Sequence, residues 1–193
     1  EIYTLSLHDA LPISTSKRRL LLHICCAPCS ASAVKILRDD FDISFYWYNP
    51  NIYDLREYEN RRSAAVKYAR SLGISFFEET GFVYDYGKWL AGGGENCGFC
   101  YQIRLAKASA FARNNGFGLF TTSLLSSPYQ KHDMIARCGR EIAAKNGVDF
   151  LYADFRPGFY EGKNRLRKEG YYIQKYCGCA KSYKERFGFG KTQ

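Results

Sequence analysis

Arg19-Leu20-Leu21-Leu22-His23-Ile24-Cys25-Cys26-Ala27-Pro28-Cys29-Ser30 is the stretch whose reading decides the fold. Arg19 to Ile24 is a short apolar run, the pattern of a strand buried on both faces. Cys25 to Ser30 turns the chain, and Ser30 is expected to cap a helix running through Ala33, Val34, Ile36 and Leu37 to Asp40. Strand, tight turn and helix make the opening of an α/β unit. Reading outward, the alternation continues. Ile43 to Tyr48 is an aromatic-rich strand broken by Asn49-Pro50-Asn51, and Leu55 to Leu72 a long helix stopped by Gly73. Ile74 to Phe77 is a third strand. The glycine loop 92–94 and Cys97-Gly98-Phe99-Cys100 precede a helix from Tyr101 to about Arg113. A fourth strand spans Phe117 to Thr122, a helix Met134 to Lys145, and a fifth strand Phe150 to Phe155. The C-terminal stretch, Tyr160 to Phe187, reads as helical, interrupted by Cys177-Gly178-Cys179. The predicted architecture is a parallel sheet with helices on both faces, and its ligand crevice should lie at the carboxyl ends of the strands.

The chain has 193 residues, 46% apolar and 24% charged, which excludes a disordered chain, a collagen repeat and a simple coiled coil. Residues 1–14, EIYTLSLHDALPIS, follow neither helical nor strand periodicity. They resemble a translated sequencing adapter and are read as a non-native or disordered leader, leaving 15–193 as a single α/β domain. Without the leader's two acids, Glu1 and Asp9, the net charge of +9 becomes +11. More than half of that lies in 161–193, where nine Lys/Arg face three Glu and Tyr171, Tyr172, Tyr176 and Tyr183 are interleaved. Basic and aromatic residues in that arrangement suit single-stranded RNA, with phosphates on the cations and bases on the rings. Arg56, Arg61 and Arg62 make a second basic group. No secretion signal and no run of about 18 apolar residues is visible, so the expected compartment is the reducing cytoplasm and no membrane partner is expected.

Seven of the eight cysteines fall into three groups: Cys25, Cys26 and Cys29; Cys97 and Cys100; Cys177 and Cys179. In a reducing compartment such groups read as metal or redox ligands. Cys26-Ala27-Pro28-Cys29 alone could be a dithiol redox motif. Cys97 and Cys100 with Cys177 and Cys179 could close a structural zinc site. Seven thiols exceed one four-coordinate ion and suit an iron–sulfur cluster with thiols to spare. Cys138, in the middle of a helix, reads as a small core residue. His23 reads as structural, and His132 beside Lys131 as a surface residue.

Taken together, six motifs resemble the epoxyqueuosine reductase QueH family: Leu22–Ser30, Tyr48-Asn49-Pro50-Asn51-Ile52, Cys97–Tyr101 with Arg104-Leu105, Phe120–Leu124 with Ser127-Pro128-Tyr129, Asp154-Phe155-Arg156, and Gln174–Cys179. The resemblance runs from about residue 19 to 185. It implies a fold related to the adenine-nucleotide α-hydrolase (HUP) group, a [4Fe-4S] cluster and an additional mononuclear iron. It also implies reduction of epoxyqueuosine to queuosine in the anticodon loop of tRNA, fed by an electron donor the sequence does not name; no DNA partner is expected. Carried over position by position, it makes Cys25, Cys26, Cys97, Cys100, Cys177 and Cys179 the metal ligands, with Cys29 also in the motif. Removing the epoxide oxygen takes two electrons and two protons, and the protons are expected from Tyr101, Tyr129, Asp154 or water. Tyr172-Ile173-Gln174 departs from the family pattern, which carries an Arg after the Tyr. Two rival readings remain open: a zinc-stabilised RNA-binding module, and an iron–sulfur tRNA sulfur-transfer enzyme. The latter would need an ATP-binding SGGxDS-type loop where this chain has Cys25 to Cys29.

Overall fold

The computed structural model describes residues 17–188; the leader expected at 1–14 lies outside them. Five strands form one parallel sheet: β1 (Arg18–Ile24), β2 (Phe41–Trp47), β3 (Ser75–Glu78), β4 (Leu119–Thr122) and β5 (Asp149–Phe150), in the order β3-β2-β1-β4-β5. β1 is central, and Leu20 to Ile24 are fully buried. Its register pairs Leu22 with Phe45 of β2 and with Thr121 of β4. Helices α1 (Ala27–Leu37), α2 (Leu55–Leu72) and α6 (Phe159–Lys168) pack together in one layer, while α4 (Cys97–Asn114) and α5 (His132–Asn146) pack in another. The sheet grows from β1 to β2 and β3 on one side and continues with β4 and β5 on the other; because such crossovers are right-handed as a rule, helices on opposite faces follow. Short helices α3 (Tyr86–Ala91) and α7 (Ala180–Phe187) complete the described chain. Among the described residues no helix is long and apolar enough to cross a membrane.

Local chemistry explains the boundaries. Asp54 caps α2 by accepting from the backbone N–H groups of Arg56 and Glu57, and Gly73 ends it in the left-handed region at φ 66. Four expectations are corrected. Helix α1 starts at Ala27, capped by the Cys26 side chain, because Pro28 fits a first turn that needs no N–H there; the Ser30 hydroxyl instead donates back to the Cys26 carbonyl at 2.8 Å. Helix α4 starts at Cys97 rather than Tyr101, because Asn96 accepts from the Phe99 N–H. β5 stops at Phe150, since only Leu119 and Phe120 of β4 pair with it. The break in the C-terminal helical stretch is wider than the CGC motif expected to interrupt it: 169–179 lie outside both α6 and α7, and the motif forms the turn before α7, with Cys179 as the flanking residue.

Candidate metal and substrate site

β1 and β4 are neighbours, yet the chain leaves β1 for β2 and returns only later to β4. That reversal makes a crevice at the carboxyl ends of the two strands. Cys25 occupies it directly after β1. Its N–H donates to the Ser123 hydroxyl at 3.0 Å, and that hydroxyl contacts the Cys25 sulfur at 3.4 Å, tying the turn to the end of β4. Cys26 caps α1 and accepts from the Cys29 N–H at 3.4 Å, so the helix turn sets Cys26 and Cys29 close together. The three sulfurs of Cys25, Cys26 and Cys29 lie within 4.8 Å of one another, the first two 3.8 Å apart. Hydrogen bonds from Cys26 and Cys29 pull the Cys25 thiol well below its ordinary pKa. Burial pushes Cys26 up, and hydrogen bonding to Cys25 pushes up Cys29. The cluster thus concentrates its negative charge on one sulfur.

His23 is buried beneath this turn, between the Thr122 hydroxyl (2.9 Å) and the Tyr48 carbonyl (3.2 Å). A carbonyl only accepts, so Nε2 carries the proton. Burial and the Arg104 charge hold its pKa down at about 4, making it a neutral brace, as the sequence suggested.

A cavity of about 490 Å³ opens over the triplet. Cys25 and Cys29 form part of its wall, and Cys177 of the CGC turn also faces it. The buried Arg61 holds that turn in place. It ion-pairs with Glu57 at 2.6 Å and donates to the carbonyls of Cys177 (2.9 Å) and Tyr176 (3.0 Å). The Tyr53 N–H donates to the Gly178 carbonyl at 2.7 Å, and the Tyr86 hydroxyl accepts from the Ala180 N–H at 2.8 Å. Gly178 sits at φ 138, and an added Cβ would meet the Asn51 amide at 2.9 Å and the Arg61 guanidinium at 3.3 Å. Gly178→Ala is therefore expected to destabilise the protein by about 1–3 kcal/mol, read from its urea midpoint; an unchanged midpoint would show that the turn relaxes freely.

Cys97 and Cys100 sit in the first turn of α4. Cys100 is buried, and burial raises its pKa to about 11 against the pull of Arg104. Arg104, one turn on, donates to the Cys100 sulfur at 3.0 Å. It is buried, and among the described residues it has no carboxylate partner. Burial works against its charge, and the thiols of Cys100, Cys177 and Cys25 outweigh that. One guanidinium therefore stands electrostatically among all three cysteine groups. Within the described residues only the first triplet gathers its sulfurs tightly; Cys97, Cys100, Cys177 and Cys179 form no second such group. Cys138 is half-buried in α5, against the core.

The expected proton donors separate. Tyr129 lines the cavity. Tyr101 is buried and donates to the Gln130 side-chain oxygen at 2.7 Å, and burial lifts its pKa to about 12. Gln130 in turn donates to the Cys177 sulfur at 3.2 Å. Asp154 lies outside the cavity lining. Its carboxylate accepts two hydrogen bonds from the Arg156 guanidinium, 2.8 and 2.7 Å, which hold its pKa at about 2. Gln174 donates to the Cys29 sulfur at 3.3 Å.

Sequence reasoning missed Gln130 and Gln174, because a neutral amide has no pattern of its own, and missed the buried roles of Arg104 and Arg61. The basic group Arg56, Arg61 and Arg62 is not an open patch: Arg61 is buried, and Arg62 pairs with Glu78 at 2.7 Å. His132 is buried rather than on the surface, its Nε2 contacting the Ser127 carbonyl at 3.2 Å. The tyrosines of the C-terminal segment are also engaged. Tyr172 donates to Glu57, Tyr171 to Ser71, and Tyr176 and Tyr183 pack on each other.

Several known proteins resemble this chain. Curated relatives named epoxyqueuosine reductase QueH include that of Thermotoga maritima, 39% identical over 86% of this chain and 91% of its own. That of Dehalococcoides mccartyi is 35% identical over 88% and 95%, and that of Haemophilus influenzae 33% over 93% and 77%. Among solved structures, the U34-tRNA thiolase NcsA from Methanococcus maripaludis, determined with its [4Fe-4S] cluster, is similar at 14% identity and a TM-score of 0.44, over 80% of this chain and 68% of that one. The family profile described as epoxyqueuosine reductase QueH matches residues 20–185, from the first buried leucine of β1 to the last turn of α7, and the chain belongs to that family.

Proposed function

We propose that this protein reduces epoxyqueuosine in tRNA to queuosine, with the epoxide oxygen leaving as water after uptake of two electrons and two protons. The observation that carries the reading is the tight triplet of Cys25, Cys26 and Cys29 at the β1/β4 switch point, two of whose thiols line a cavity together with a fourth, Cys177.

The donor set fits an iron–sulfur site. It is sulfur throughout, with neither carboxylate nor imidazole in the triplet, and two buried guanidiniums, Arg61 and Arg104, offset thiolate charge. Cys25, Cys26, Cys97, Cys100, Cys177 and Cys179 are assigned as ligands, with Cys29 the remaining thiol of the site. When bound, a [4Fe-4S] cluster with an additional iron supplies one-electron transfer and a Lewis acid for the epoxide oxygen. The protein's own residues do the rest. Arg61 keeps the CGC turn against the cavity. Tyr101 orients Gln130, and through it the side chain of Cys177. Gln174 fixes Cys29. Tyr129, in the cavity wall, is the proton source among the tyrosines, alongside water. Asp154 is assigned no proton, because at neutral pH it is a carboxylate committed to Arg156. Electrons arrive from an external donor.

The test is anaerobic incubation of iron-reconstituted protein with dithionite and epoxyqueuosine-bearing tRNA, followed by mass analysis of the nucleosides. A product lighter by one oxygen is expected, and unchanged epoxyqueuosine would overturn the assignment. Zinc without iron in the purified protein would favour an RNA-binding module instead. ATP binding would favour sulfur transfer, although the turn after β1 has no glycine-rich phosphate loop.

A further inference from the structure

Most of the described aromatic side chains are packed, but Tyr129 in the cavity wall and its neighbour Tyr160 are not. Tyr129 is 76% exposed and Tyr160 56% exposed. They are nevertheless held. Their hydroxyls lie 3.1 Å apart, and the buried Phe159 meets both rings edge-on, at 6.5 Å from Tyr129 and 5.1 Å from Tyr160. Tyr129 and Phe159 line the same cavity as Cys25 and Cys29. Lys163, Lys175 and Arg186 line it too, against a single acid, Glu185. Among the described residues none of those three cations has an ion-pair partner. Exposed rings held rigid beside unpaired cations match a partner with flat faces and negative charge, which is an unpaired stretch of nucleic acid.

We propose that Tyr129 and Tyr160, seated on Phe159, form a stacking platform for an unpaired base of the RNA loop, beside the nucleotide that enters the thiol cavity. The proposal rests on the tRNA reading above and adds to it where the loop docks. It also moves the stacking site from the tyrosines of the C-terminal segment, which are engaged within the fold, to a pair that is free. Lys163, Lys175 and Arg186 would take phosphates on either side of the stacked base.

The experiment measures binding of an anticodon stem-loop RNA by fluorescence anisotropy. Wild type is compared with Tyr129→Ala/Tyr160→Ala and with Tyr129→Phe/Tyr160→Phe. Loss of one base stack is expected to weaken binding by the alanine pair roughly 5- to 150-fold, whereas the phenylalanine pair should stay within about threefold. On an RNA with an abasic site at the stacked position, wild type and the alanine pair should bind alike. Thermal midpoint and bound iron, recorded on the same samples, should match wild type. Wild-type affinity in the alanine pair overturns the platform, as does an equal loss on a fully paired RNA, which would mark a merely electrostatic contact. Wild-type protein that does not bind the stem-loop at all overturns the tRNA reading, and the platform with it. The phenylalanine pair also separates two roles of Tyr129: it keeps the ring and removes the hydroxyl assigned as proton source.

Discussion

Cys26→Ser is expected to abolish iron binding while leaving the fold intact. Cys26 is buried and plays two parts in one position: its sulfur accepts the Cys29 N–H that starts α1, and it belongs to the tight triplet. Serine performs the first part well, being among the preferred helix caps, so the cost in stability should stay within about 1 kcal/mol. It performs the second badly, because a hydroxyl is a hard, protonated donor at neutral pH where iron–sulfur chemistry needs thiolate. Iron and acid-labile sulfide per chain after anaerobic reconstitution should fall to background, and turnover of epoxyqueuosine tRNA below detection. The urea midpoint should stay close to wild type. Cys138→Ser, in α5, is the control and should retain its iron. Full iron in Cys26→Ser would remove Cys26 from the ligand set.

Arg61→Met should be the most damaging single change to stability. The guanidinium is buried, paired with Glu57 at 2.6 Å, and carries the carbonyls of Tyr176 and Cys177. Methionine fills much of the volume and removes all three interactions, leaving Glu57 with only the Tyr172 hydroxyl and no counter-charge, and two carbonyls without this donor. Breaking a buried pair from one side costs about 3–5 kcal/mol. With urea m-values of about 1–3 kcal/mol/M, the midpoint should drop by about 1 M or more. Lysine should not rescue, since a single ammonium cannot span the fork of contacts that Arg61 makes. Adding Glu57→Gln should recover part of the loss, because the stranded charge is then gone; if the double variant is no better than Arg61→Met, the damage lies in the carbonyls and not in the ion pair. A midpoint unchanged in Arg61→Met would mean that the CGC turn is held by Tyr53 and Tyr86 alone.

Much of this was legible in the chain. β1 and the turn after it are written in Leu20–Ile24 and Cys25–Cys29, because a buried parallel strand must be continuously apolar and a helix start tolerates proline. α2 matches its expected bounds, Leu55–Leu72, since Asp54 and Gly73 are local stop signals that act through their own backbone. The errors fall where local signals compete. Ser30 and Cys26 could each start α1, and the proline between them decided for Cys26. The α3 helix, only six residues long, left no periodicity to read.

The sequence by itself determined the α/β alternation, the three cysteine groups and the family, because each is carried by residues close together in the chain. Tertiary structure alone decided which thiols meet, which arginines are surface cations and which are buried braces, and which aromatics stay exposed. Arg61 and Arg62 are adjacent in sequence, yet successive positions on a helix are about 100° apart, so one faces the core and the other the solvent. Tyr129 and Tyr160 are thirty-one positions apart and reveal nothing singly; only the packing of α6 beside the segment before α5 brings their hydroxyls together. Contacts of that kind depend on how layers pack, which no window of sequence contains.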